Sequence, residues 1–226
     1  MAVGTILVVG PWAVRNQIYL GSPVLTTTHG GYTLLLANNP VFYTDVVAHG
    51  WGTNWEKSSF DRWQSDLQAE LLRQLGPNAT EVERDRSQSL RAREFIKCVP
   101  RQFLDAAWYR TRSLWSPVPQ REVASKVSSW LVFAVGWYYT VVLSAFAVGM
   151  VVVAVRRQFH LWWALYAMVL TIQLVHVAYW TNARMRAPLV PVISLFAVVP
   201  LCRKSNIAPS LQFPPSERQD RSNPSP

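Results

Sequence analysis

Twenty-six consecutive residues without a formal charge, Trp130 to Val155, limit this chain more than anything else in it. About 20 apolar residues cross the hydrocarbon core of a bilayer, so this run spans with tilt or overhang. Trp130 at one end and Arg156-Arg157 at the other are the anchors expected at the two interfaces. Leu161 to Trp180 adds 20 uncharged residues, with Trp162, Trp163 and Trp180 near its ends. Ala187 to Cys202 adds only 16, broken by Pro188, Pro191 and Pro200. Extended back through Met185, it crosses if neighbouring helices satisfy the backbone groups that proline frees. The first 14 residues are apolar too, but stop at Arg15, short of a full crossing. They read as a truncated membrane helix or, alternatively, as an interfacial anchor. A basic leader and a small-residue cleavage site are both lacking, so a signal peptide is not indicated.

The charges lie elsewhere. Residues 13–126 hold 14 of the 22 Lys and Arg and 11 of the 13 Asp and Glu. With half the chain apolar, disorder is excluded for most of it, and two cysteines make no disulfide framework. Short loops set the orientation: Arg156, Arg157, Arg203 and Lys204 on one side outweigh Arg184 and Arg186 on the other. The 156–160 loop and the tail are therefore expected in the cytoplasm, and the charged segment outside. Cys98 and Cys202 then fall on opposite sides. The net charge of +9 belongs to this topology. No basic motif interleaved with aromatics is present, so nucleic acid is not an expected partner.

Within the aqueous segment, two β-favouring runs around His29-Gly30-Gly31 predict a short hairpin over 24–36, closed by Asn38-Asn39-Pro40. Residues 41–56 are irregular and aromatic (Phe42, Tyr43, Trp51, Trp55), suited to a membrane surface or a cleft. Three helices follow: from Ser58-Ser59 to about Leu75, from the capping box at Thr80 and Glu83 to about Cys98, and onward from Pro100. On the last, Phe103, Leu104, Ala107 and Trp108 share a face, and Arg101, Arg110 and Arg112 are expected near lipid headgroups. The Pro/Ser-rich tail predicts disorder. The expected fold is an all-α polytopic membrane protein. Its parts are a partial helix over 1–14, an extracytoplasmic segment over 15–127 with a hairpin and about three helices, membrane helices near 130–155, 161–180 and 185–202, and a cytoplasmic tail over 205–226.

Several segments, in order, resemble a known family. They are Pro11-Trp12-Ala13-Val14-Arg15-Asn16, then Thr28-His29-Gly30-Gly31 and Asn38-Asn39-Pro40. Glu83-Arg84-Asp85, Phe95-Ile96 and Pro100 come next, and last Tyr179-Trp180 before Ala183-Arg184-Met185-Arg186-Ala187-Pro188. Together they look like the C-terminal part of GT-C membrane glycosyltransferases, in the bacterial branch of protein O-mannosyltransferases and lipid A aminoarabinose transferases. The resemblance covers about residues 1–202. It implies a multi-pass enzyme of the bacterial inner membrane that moves a sugar from a polyprenyl-phosphate donor to an extracytoplasmic acceptor. The family's catalytic carboxylate belongs to a first external loop, for which no counterpart follows Met1. The resemblance therefore implies a C-terminal portion, expected to be inactive alone. The competing reading is a non-enzymatic membrane scaffold or partner-binding protein.

Candidate site residues follow from chemistry and from the resemblance. Arg184 and Arg186 stand where a span leaves the membrane, beside Tyr179; guanidinium groups grip phosphate bidentately, and the resemblance implies donor-phosphate contact here. Arg15 and Asn16 hold the matching place after the first helix, for phosphate contact or for capping. His176 is an ionisable group within a span, a functional candidate or a histidine hydrogen-bonded to another helix. Among the acids Asp45, Glu56, Asp61 and Asp66, any of which could in principle act as a base, Asp45 in the irregular aromatic stretch is the one singled out for mutation. Asn38-Asn39 reads as a turn or a sugar-binding pair. The histidines share no ligand spacing, so neither a metal nor any other cofactor is indicated beyond the lipid-linked sugar itself. A transporter is disfavoured by spans without charged residues.

Overall fold

The computed structural model describes residues 2–25, 27–50, 52–53, 55–119 and 124–202. Trp51, Arg203, Lys204 and the expected disordered tail lie outside the described residues. The chain is helical, and no strand occurs among the described residues. Three helical stretches are long and apolar enough to cross a membrane: Ser129–Val155, Phe159–Ala178 and Ala183–Leu201.

Helix α1 spans Ala2–Leu20 through Pro11, and Gly21 stops it with φ +67°. It is longer than the 14-residue piece expected, because Arg15 and Asn16 continue the helix rather than end it. The expected hairpin is not found: Gly30–Ala37 forms helix α2 instead. A short apolar run such as Tyr32-Thr33-Leu34-Leu35-Leu36 fits either a strand or a buried helix, and packing decides. Here Gly31 removes the Cβ that would collide with the Asp85 backbone carbonyl of a neighbouring helix, so two helices meet at close range. A helical turn Pro40–Phe42, capped by the Asn39 side chain, runs into a π-helical turn Tyr43–Val47.

Helix α3 (Lys57–Leu75) ends at Gly76, whose φ of +79° suits glycine. Helix α4 (Glu81–Cys98) begins with the capping box: the Thr80 hydroxyl accepts from the Glu83 N–H, and the Glu83 carboxylate accepts from the Thr80 N–H. Helix α5 (Pro100–Leu114) uses proline at its first position. Of the face expected over Phe103, Leu104, Ala107 and Trp108, Ala107 is buried but Leu104 and Trp108 are exposed, while Ala106, Tyr109, Arg110 and Leu114 turn inward.

Phe42, Tyr43, Trp55 and Tyr109 form a buried aromatic core joined by Trp180, with Phe42 and Trp180 centroids 5.4 Å apart. Phe42, Tyr43 and Trp55 of the expected aromatic stretch therefore build a core of their own, and Trp180 leaves the expected belt to join it. Trp163 remains exposed.

Helices α6 (Ser129–Val155) and α7 (Phe159–Ala178) are the first two spans. The third is composite. A 3-10 turn over Ala183–Leu189 leads into helix α8 (Val190–Val198) and a final 3-10 turn over Val199–Leu201. The prolines sit in the 3-10 turns or the first turn of α8, where missing N–H groups cost least. Gly149 lets α6 and α8 touch: a Cβ there would lie 1.8 Å from the Phe196 carbonyl oxygen. Phe146, Phe196, Val192 and Ile193 fill the seam.

Candidate functional site

Helix α7 ends at Ala178 and Tyr179 turns extended, so the chain crosses the head of the membrane bundle before the third span starts. Asn182 caps that start by accepting from the Arg184 N–H at 2.9 Å. The two arginines expected to act together then part. Arg186 is buried and donates to the Leu114 and Ser116 carbonyls at 3.2 and 2.7 Å, with its guanidinium 4.7 Å over the Tyr139 ring. It fastens the third span to the end of α5. Arg184 is exposed, and its guanidinium bonds no other described residue. Both line a cleft of about 420 Å³ between α6 and the start of the third span, with Tyr138, Tyr139, Ser116 and Ser194. Among its described lining residues there is no Asp, Glu or His. Among the described lining residues stand one cation free of side-chain bonds, one committed cation and two tyrosines, which suits binding an anionic headgroup.

The other candidates are placed apart. Arg15 and Asn16 lie inside α1. Arg15 is exposed between the Trp12 and Tyr19 rings, at 5.2 and 5.3 Å, and donates to Asn16. Asn16 is buried and donates to the Val24 carbonyl at 2.6 Å, which fixes the turn after the helix. His176 pairs its Nδ1 with the Thr181 hydroxyl just past the end of its own helix. Tyr179 packs against the cluster of Leu34, Leu35, Leu67 and Leu71. The Asp45 carboxylate accepts from the Thr44 and Ser59 hydroxyls in the π-helical turn. The structure brings none of these five into the lining of the Arg184 cleft. No group of three potential metal ligands occurs among the described residues.

Asn38 and Asn39 are buried structural residues. Asn38 donates to the Leu34 and Ala178 carbonyls at 2.8 and 2.7 Å, and its Oδ1 accepts from the Tyr43 hydroxyl. Asn39 caps the next turn by accepting from the Phe42 N–H. At the centre of this network stands Arg110, which sequence reasoning put at the headgroups. It is 1% exposed and donates to the Ala37 carbonyl at 2.7 Å and the Val177 carbonyl at 2.8 Å, with Asn38 Oδ1 at 3.4 Å. Its Nη2 has no partner. Burial pushes its pKa down to about 10, opposed by the nearby Tyr43 hydroxyl. Burial likewise raises Tyr43, which Arg110 partly offsets. The signal for Arg110 was available: it falls three residues after Ala107 and four before Leu114, on the stripe of α5 that is buried.

One more cleft, of about 760 Å³, opens on the aqueous side between α2, α3 and α4. Its polar walls carry no signal in the sequence, because Gln64, Gln68 and Gln88 look like ordinary surface residues of amphipathic helices. No family model, curated protein or solved structure matches the chain.

Proposed function

We propose that this chain forms the donor-phosphate side of a membrane glycosyltransferase that uses a polyprenyl-phosphate-linked sugar. One observation carries the reading: the unpartnered Arg184 guanidinium at the mouth of a cleft, where the third apolar stretch begins. A phosphate joined to a long isoprenoid would lay its chain along the exposed apolar flank of α6 and its charge against Arg184. Arg186 supports the site by holding the cleft's wall. The segment order described above supports the same family and an enzyme of the bacterial inner membrane. The cleft's described lining holds no Asp, Glu or His, so on this reading acceptor activation falls to a group outside that lining. That gap equally fits the competing reading, a non-enzymatic membrane scaffold.

The test is lipid binding by the full chain in nanodiscs, with farnesyl phosphate as probe and farnesol as its uncharged control. Farnesyl phosphate should bind, farnesol should not, and Arg184→Ala should weaken binding about tenfold, the loss of roughly 1.4 kcal/mol. Equal binding of the two probes, or an unchanged affinity in Arg184→Ala, would remove the donor-site reading.

A further inference from the structure

The 760 Å³ cleft on the aqueous side lies within the roughly 300–1,000 Å³ range of small-ligand sites. Its frame is already tied. The Glu81 carboxylate accepts from the Thr28 hydroxyl at 3.0 Å, and the Asp85 carboxylate accepts from the Gly31 N–H at 2.6 Å. Both acids therefore hold α2 against α4 rather than wait for a ligand. What faces the space unpaired is different in kind. Gln64 and Gln68 lie one turn apart on α3, and Gln88 stands across from them on α4. Gln88 is nine-tenths buried, lines the cleft, and bonds no other described residue. Tyr32 adds a half-buried ring 6.3 Å from Trp63, over a floor of Leu67 and Leu71.

We propose that this cleft binds a neutral polyhydroxylated ligand, a glycan. A primary carboxamide presents a donor pair and an acceptor side by side, and a sugar hydroxyl is itself both donor and acceptor. Three carboxamides on facing walls match a ring of hydroxyls, while Tyr32 offers a flat apolar face to the C–H side of a sugar ring. The Gln88 amide has no partner among the described residues and still meets solvent within the cleft, so a ligand hydroxyl can take the place of that water. Anions are poorly served, since Glu81 and Asp85 stand beside Arg84, the single cationic side chain of the described lining. An extended peptide is served no better, because helices wall the cleft and leave no strand edge to pair with its backbone. The site is separate from the Arg184 cleft and does not depend on the donor-phosphate reading.

Saturation-transfer NMR on the full chain in nanodiscs tests this with three neutral probes (maltotriose, α-1,2-mannotriose and cellotriose), one anionic probe (a heparin trisaccharide) and one peptide (trialanine). At least one neutral trisaccharide should receive saturation, and Gln68→Ala with Gln88→Leu should weaken it at least tenfold. Gln64→Ala with Gln68→Ala, both on the cleft-lining side of α3 and neither buried, should give a several-fold loss with an unchanged unfolding midpoint, which guards against a misfolded Gln88 variant. Arg184→Ala should leave the sugar signal intact, so failure here is distinct from failure at the lipid site. Absence of transfer to all three neutral sugars overturns the proposal. So does stronger transfer to trialanine or the heparin trisaccharide, or a signal indifferent to the glutamine substitutions.

Discussion

Arg110 shows how far a single residue type can mislead at the residue scale. A basic residue in a helix near a membrane ordinarily marks a headgroup contact, yet this guanidinium closes three segments at once by bonding the Ala37 and Val177 carbonyls and touching Asn38. Only the three-dimensional meeting of α2, α5 and α7 creates that role, so residue type alone could not announce it. Asn39, by contrast, was legible in a turn because its side chain bonds its own neighbourhood, whereas Asn38 also reaches Ala178. Arg110→Ala should leave two buried carbonyls unpaired at about 1–3 kcal/mol each, read as a fall in the unfolding midpoint in nanodiscs. Arg110→Lys should rescue little, because an ammonium is compact and strongly hydrated and cannot fork to both carbonyls. The sign of its titration follows from burial. The folded pKa, about 10, lies below that of the unfolded chain, so the unfolded state holds the proton more tightly. Desolvation of the charged guanidinium thus offsets part of what its hydrogen bonds contribute, and the titration adds stability only as pH rises above that value. A lysine variant as stable as the parent would refute the forked role.

At the scale of elements, helices whose ends are written locally were readable and those set by packing were not. The Thr80 box predicted the start of α4, and Gly76-Pro77 the end of α3. Helix α2 was read as a strand because its helical state depends on Gly31 meeting the Asp85 backbone 54 positions away. Thr80→Ala should cost about 1 kcal/mol, measurable by chemical unfolding of the aqueous helices. The Thr80 backbone and hydroxyl hold the Glu83 carboxyl below the usual range. A depressed folded pKa means the contribution is complete above the unfolded value and fades as pH falls through the folded one. Glu83→Gln should therefore flatten the acid limb of the unfolding curve, and an unaltered limb would contradict the box. In the bundle, Gly149→Ala should push α6 from α8 and cost about 1–3 kcal/mol, whereas Gly136→Ala should be mild. At Gly136 the new Cβ meets the end of one side chain, Val118 Cγ1 at 2.6 Å, and that end can move aside. Equal costs at the two glycines, in sodium dodecyl sulfate titrations, would contradict the seam.

The whole molecule joins two materials, a charged helical unit and an apolar bundle, and hydropathy located the bundle within a few residues. What hydropathy could not supply is the fastening between them. Besides Arg110, the Gln173 amide donates to Thr111 at 2.9 Å and accepts from the Trp115 indole at 2.7 Å, and Arg186 holds the 114–116 carbonyls. These bonds tie α5 to the heads of α7 and the third span, so the aqueous unit stands at one end of the bundle. The opposite end gathers Arg156, Gln158 and Cys202 around another cleft. The two native cysteines are both free and exposed, and Cys98 ends α4 in the aqueous unit. They form a built-in pair of topology reporters. An impermeant maleimide added outside intact cells should modify Cys98 alone, and Cys202 should react only once the membrane is opened. This expected outcome rests on the basic residues at 156–157, since Lys and Arg beside short loops are ordinarily retained on the cytoplasmic face. Labelling of Cys202 alone from outside would invert the orientation and place Arg184 among cytoplasmic headgroups, where no extracytoplasmic transfer could use it. Labelling of both from one face would mean that the bundle does not cross the membrane an odd number of times between them, and the three-span architecture would fail with it.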